Sequence, residues 1–225
     1  GTPEDVQAVL RTGTDVNATA TPLRLTALMC AVQDPKKVAL LLSAGANVNA
    51  AAATGQTALV VAADYDGAGE SVKLLLDRGA DVNVHTTRPA RMNTALVRAA
   101  FRGDRQMTAT LLDHGAILND LPQGSSALLA AVQHGDAALV TFLLDRGANI
   151  ESHPPEGTRA DDAPRDSTPL MWAADRSWSD IVAVLLKRRA NVNAHDASGM
   201  TPLMYAAAGI DRGIDLLDAA HAEPQ

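Results

Sequence analysis

Six histidines, one cysteine and a few aspartates are the residues here whose types suit metal binding or nucleophilic chemistry. His85, His114, His134, His153, His195 and His221 contain no H-x-x-x-H pair. That spacing would set two imidazoles on one helix face. None pairs locally with Cys30. His114 lies in the helix-end phrase LLDHGA and reads as a surface cation at a helix C-terminus. His85 and His195 read as loop-tip residues. Cys30 falls inside an apolar phrase, TALMC, and reads as a small core filler. A nucleophile needs a base and an activating environment, and the local sequence offers neither. Gly67-Ala68-Gly69-Glu70-Ser71 lacks the lysine and the preceding strand of a phosphate loop, so it reads as a turn. Asp161, Asp162 and Asp166 lack the spacing of a calcium loop. No catalytic constellation, metal site or cofactor is expected.

The composition sets further bounds. Hydrophobic residues make up 47% but aromatics only 3%, so the apolar content is Ala, Leu and Val. A net charge of −7 argues against nucleic-acid binding, which needs a basic surface. No apolar run of membrane-spanning length occurs, so no membrane insertion is expected. One cysteine excludes an internal disulfide and suits a reducing compartment. A cytoplasmic location is the default. A periplasmic or secreted one stays open, since the chain begins at Gly1 rather than Met. The bias to Arg and Asp suggests a GC-rich genome and a bacterial source.

The elements that would position any site follow a fixed rhythm. One phrase recurs as T26-A-L-M, T57-A-L-V, T94-A-L-V, S126-A-L-L, T168-P-L-M and T201-P-L-M, at intervals of 31, 37, 32, 42 and 33. A second follows each at similar offset: LLSAGANVNA, LLDRGADVNV, LLDHGAILND, LLDRGANIES and LLKRRANVNA, with an early copy VLRTGTDVNA. Thr or Ser before an apolar helix start is an N-cap, and Pro or Ala suits the first helical position. Paired alanines let neighbouring helices approach closely. The V-x-x-LL spacing gives a second helix with one apolar side. Gly past its end takes the left-handed conformation without a Cβ penalty, and the Asn-rich A-D/N-V-N leaves in a tight turn. Each unit is therefore helix, turn, helix and protruding loop. Such a unit must stack on neighbours to bury its apolar face.

This pattern resembles the ankyrin repeat over nearly the whole chain. The resemblance implies an all-α solenoid of stacked helix-turn-helix units with protruding β-turn or hairpin loops. It would form a single array over 1–225, with an N-terminal half repeat at 1–18 and repeats starting near 22, 53, 90, 122, 164 and 197. It also implies a concave face of first helices and loops that binds protein.

Several places depart from the family pattern. Its T-P-L-H histidine is replaced by Met29, Val60, Val97, Leu129, Met171 and Met204, so apolar contact is expected there. Arg189 stands where Gly is expected. Either it takes the left-handed conformation, at about 1 kcal/mol, or the helix ends differently. Ser152 stands in the usual Asn place, so a different exit turn is expected there. Residues 1–18 hold only the second half of a unit, which favours a piece of a longer protein. GIDLLDAAHAEPQ reads as a worn terminal helix with a polar outer face. HPPEGTRADDAPRDS, residues 153–167, adds about eight residues between one exit turn and the next helix start. With Pro154, Pro155 and Pro164 it reads as an extended, solvated finger in register with the array.

Comparing units with one another exposes two variable places. One follows the T-A-L-M phrase: Cys30, Val61, Arg98, Ala130, Trp172, Tyr205. The other follows the small pair: Asp64-Tyr65, Phe101-Arg102, Gln133-His134, Asp175-Arg176. Trp, Tyr and Arg are enriched at binding hot spots. Tyr65, Arg98, Phe101, Arg102, His134, Trp172, Arg176 and Tyr205 form a candidate partner-binding stripe, with Arg159, Asp161 and Asp162 added from the finger. Trp172 and Tyr205 have a competing reading as fillers between units. Trp178, in an inter-helix turn, is either a staple or a contact. The leading function is a non-enzymatic scaffold for a protein partner. The alternatives are a docking or regulatory domain of a longer enzyme or redox protein, where the partners include other domains of a parent chain, and a small-molecule or metal site at the long loop.

Overall fold

The computed structural model describes residues 1–86, 94–119, 126–153 and 166–208. The helices among them alternate between two kinds. The first-position helices are α2 (Ala27–Cys30), α4 (Ala58–Ala62), α6 (Ala95–Phe101), α8 (Ala127–His134), α10 (Pro169–Asp175) and α12 (Pro202–Ala208). The second-position helices are α1 (Pro3–Leu10), α3 (Pro35–Ser43), α5 (Gly69–Asp77), α7 (Arg105–Asp113), α9 (Ala137–Asp145) and α11 (Ser179–Lys187). Strands β1 (Thr19–Ala20) and β2 (Leu25–Thr26) pair antiparallel, Thr19 opposite Thr26. Each first helix packs on the next, from α2 through to α12. The second helices form an outer row in which α1 meets α3, α3 meets α5, α5 meets α7 and α9 meets α11. The result is a mostly helical solenoid.

Helix starts follow the sequence closely. The hydroxyls of Thr26, Thr57, Thr94, Ser126, Thr168 and Thr201 each accept a backbone N–H from the first turn. In the second row Asp34, Asp104 and Asp136 cap α3, α7 and α9. The cap positions of α5 and α11 hold Ala68 and Trp178, which supply no side-chain bond. At the place of the family histidine, Met29, Val60, Val97, Leu129 and Met171 are buried, as expected for apolar contact. Met171 Sδ even accepts from Thr168 N. Met204, on the last described helix, is exposed.

The core is one continuous apolar cluster running from Leu28 to Ala190. It rests on leucines repeated at one place, Leu28, Leu59, Leu96, Leu128 and Leu170, each nearly inaccessible. Burying each contributes about 1.5–3 kcal/mol. Met171, Ala174 and Tyr205 form a separate small cluster that holds the last unit.

Cys30 does not fill the core; it is exposed. Among the described residues only a second-position helix, α1, precedes α2, so no first helix covers that side of it. Gly45, Gly79, Gly115 and Gly147 end their helices with φ between 81° and 88°. Arg189 takes the same conformation at φ 64°. Its N–H bonds Leu186 O at 2.9 Å and Ala190 N bonds Leu185 O at 3.0 Å, matching the pair of bonds at Gly147.

The exits are tied together by asparagine side chains. Asn17, Asn49, Asn83 and Asn119 each donate to the helix-ending glycine carbonyl of the following unit, Gly45, Gly79, Gly115 and Gly147. Each also accepts from the N–H two residues beyond that glycine. In the fifth unit this place belongs to Glu151, not Ser152. Glu151 Oε1 accepts from Asn191 N at 2.7 Å. A carboxylate has no N–H, so it keeps the accepting half of the clamp and loses the donating half.

Most of the proposed finger, residues 154–165, lies outside the described residues, and so does the terminal phrase from 209 onward. The described flanks of the finger approach one another, with His153 Nδ1 3.8 Å from Asp166 Oδ1.

Candidate functional site

The aromatic and arginine residues of the two variable places differ sharply in exposure. At the first, Arg98 is 9% exposed, Trp172 5% and Tyr205 9%. These side chains pack between units rather than presenting to solvent. Arg98 pairs with Asp64 of the preceding unit. Tyr205 donates its hydroxyl to the buried Asp196 at 2.6 Å. Burial first, and that hydrogen bond second, hold the Tyr205 phenol well above its ordinary pKa. Asp196 also accepts from Ser198 N and Met200 N, and so organises the turn that leads into α12. Trp172 Nε1 is buried without a hydrogen-bond partner among the described residues.

The second place forms an open stripe. Tyr65 is 40% and Phe101 39% exposed, and Arg102, His134 and Arg176 are also exposed. They sit where each first helix ends and turns towards its outer partner. The turns stack from unit to unit. A Cβ on Gly103 would stand 2.3 Å from His134 Nε2, so only glycine lets the imidazole cover that turn. A Cβ on Gly135 would lie 3.3 Å from the Trp178 ring. Trp178 is half-buried and thus staples its turn onto the unit before it. Its own turn reaches the left-handed region through Ser177, at φ 55°.

The charges of the stripe are largely committed to the array itself. Asp66 takes Arg102 Nη2 at 2.5 Å, and this bond raises the arginine pKa further. Asp104 and Asp136 are occupied as helix caps. Arg176 differs. Its guanidinium lies 5.8 Å from the Trp172 ring centre and 5.9 Å from that of Trp178, and its Nε is 3.9 Å from Asp175. Its guanidinium makes no hydrogen bond among the described residues.

Sequence reasoning put Tyr65, Arg98, Phe101, Arg102, His134, Trp172, Arg176 and Tyr205 in one stripe; the structure has Tyr65, Phe101, Arg102, His134 and Arg176 in the turn row. Arg98, Trp172 and Tyr205 lie one helical turn inward, under cover. Arg159, Asp161 and Asp162 lie outside the described residues. An outer-row network was missed. Arg146 reaches Asp113 at 3.0 Å and Arg188 reaches Asp145 at 2.5 Å, each bridging adjacent units. Phe142 lies between the guanidinium groups of Arg105 and Arg146, 5.2 and 4.7 Å from its ring centre. The repeated Leu-Leu-Asp-Arg phrase carried that signal. Among the described residues no group of three or more His, Cys, Asp or Glu is placed to hold a metal ion. No described helix is long and apolar enough to cross a membrane.

Comparison with known proteins adds four findings. A family model described as "Ankyrin repeats (3 copies)" matches residues 1–86, 84–154 and 155–224. Human "Ankyrin repeat and KH domain-containing protein 1" is 40% identical over 89 residues, which is 40% of this chain and 3% of that protein. The chain therefore corresponds to a small part of this relative's length. The fold is similar to the crystal structure of the human ASB11 ankyrin repeat domain, with TM-score 0.76, 24% identity and coverage of 99% of this chain and 95% of that one. It is also similar to the ankyrin repeat domain of Bcl-3, a member of the IkappaB protein family, with TM-score 0.71, 27% identity and coverage of 91% and 87%.

Proposed function

The chain belongs to the ankyrin repeat family, and from that premise we propose that it is a non-enzymatic scaffold that binds a protein partner along its turn row. Members of this family are generally protein-interaction modules. The single observation that carries the placement is the contrast in exposure between the two variable places. At the inner one Arg98, Trp172 and Tyr205 are buried, whereas Tyr65 and Phe101 stand in solvent on adjacent units. Aromatic residues held rigidly at the surface provide contact area at low entropic cost. Arg102, His134, Arg176 and Trp178 extend the same row. Arg159, Asp161 and Asp162 would contribute from the long loop.

Tyr65→Ala with Phe101→Ala tests this reading, because both residues are exposed and their loss leaves the stack intact. Binding to an isolated partner should weaken by at least about 2 kcal/mol with the melting temperature held. Unchanged affinity would remove the turn row from the binding surface. Arg98 and Trp172 are unsuited to the test, since truncating either would open the interior.

A further inference from the structure

We propose that Arg176 is a carboxylate-binding anchor within the turn row, and that the partner segment lying there is an acidic peptide rather than a basic one. This rests on the protein-binding reading above and specifies its chemistry. The first observation is the holding of the guanidinium. Trp172 is buried and Trp178 is stapled against Gly135, so both rings are fixed, and Arg176 stands within about 6 Å of each. An arginine held by aromatic walls loses little further freedom when it meets a ligand. The second is that its donors are uncommitted. Its one ionic neighbour among the described residues, Asp175, approaches Nε only to 3.9 Å, beyond hydrogen-bond reach, and no other described group accepts from the guanidinium.

The surroundings fix the sign of the ligand. The neighbouring acids of the row are engaged within the array: Asp64 with Arg98, Asp66 with Arg102, Asp104 and Asp136 with helix N–H groups. Asp175 has a further interaction of its own. Among the described residues the uncommitted hydrogen-bonding charge in the row is therefore positive, on an otherwise acidic protein. A planar guanidinium with free donors matches a carboxylate in a two-bond fork. An Asp or Glu side chain on an extended segment, with apolar residues towards Phe101 and Tyr65, satisfies both features.

The test is selection of short random peptides on the full chain, followed by affinity measurements on the peptides recovered. They should share an Asp or Glu. Replacing that acid by its amide, or Arg176→Gln, should each weaken binding about tenfold, the two changes together weakening it little further. Arg176→Lys should recover only part of the loss, because an ammonium cannot fork. Lys73→Gln, on the outer row, should change nothing. Because Arg176 is exposed, the melting temperature of the variants should match the parent. Peptides without a shared acid, peptides indifferent to Arg176→Gln, or no peptides at all would overturn the proposal. Peptides sensitive to Tyr65→Ala and Phe101→Ala but not to Arg176→Gln would overturn the anchor alone. Peptides insensitive to all three would overturn the turn-row reading as well.

Discussion

Arg189 carries a backbone that suits glycine, at φ 64°. It keeps both bonds of its helix end, so the cost lies in the Cβ and not in lost hydrogen bonding. Arg189→Gly should therefore stabilise the protein by about 1 kcal/mol, raising the melting temperature by about 2–4 °C. Tyr205 is a second local control point. Its phenol is held protonated in the fold by burial and by its bond to Asp196, so its pKa lies above the ordinary value near 10. The unfolded chain ionises first. The stabilisation is thus fully present below about pH 10 and is lost as pH rises beyond it. In a Tyr65→Phe background, where Tyr205 is the one tyrosine left, ultraviolet titration should show ionisation delayed above the normal range and coincident with loss of helical signal. A simple titration near pH 10 with the fold intact would contradict this. At this scale the sequence was only partly legible. The conformation of Arg189 followed from a repeated glycine. The exposure of Cys30 did not, because it depends on packing between units and not on the residues of its own helix. The role of Glu151 was not legible either, because it fills an asparagine place with a residue of different type, one position before Ser152.

Among the elements, the helices and caps were the most legible, since each is set by residues within one turn. Thr, Ser and Asp occur where orphan N–H groups need acceptors, and Leu and Ala recur where helices meet. What local patterns could not show is which side chains cross between units. The asparagine clamp is the main example. Asn83 joins Gly115 O at 3.1 Å and Ile117 N at 2.8 Å, more than thirty positions away in sequence. Asn83→Ala removes both bonds and should cost about 1–3 kcal/mol, read as a shift of the urea midpoint with unchanged slope. The same change at Asn193, whose side chain makes no bond to another unit among the described residues, should cost less. The salt-bridge pairs Asp113–Arg146 and Asp145–Arg188 are partly exposed. They are expected to add little, as exposed ion pairs do.

For the whole molecule, stability should be graded along the stack. Units in a solenoid are held by nearest neighbours, so a unit covered on both sides is held twice. Helices α6 and α8 are almost fully buried, α1 has no buried residue, and α12 hangs on a small separate cluster. Amide exchange should be slowest in α6 and α8 and fastest in α1 and α12; uniform protection would show that the array opens as one unit. The order of the units was legible in the sequence because each repeats the same phrase. The side that faces outward was legible only in part. Variable positions marked both rows alike, and packing alone separates the buried row of Arg98, Trp172 and Tyr205 from the open row of Tyr65, Phe101 and Arg176. That separation underlies the functional account, and a paired purification tests it most directly. The parent chain and the Tyr65→Ala/Phe101→Ala variant would be used side by side to retain proteins from the cell of origin, with melting temperatures measured on the same preparations. The account predicts a partner held by the parent and lost by an equally stable variant. The same partner held equally by both would contradict it.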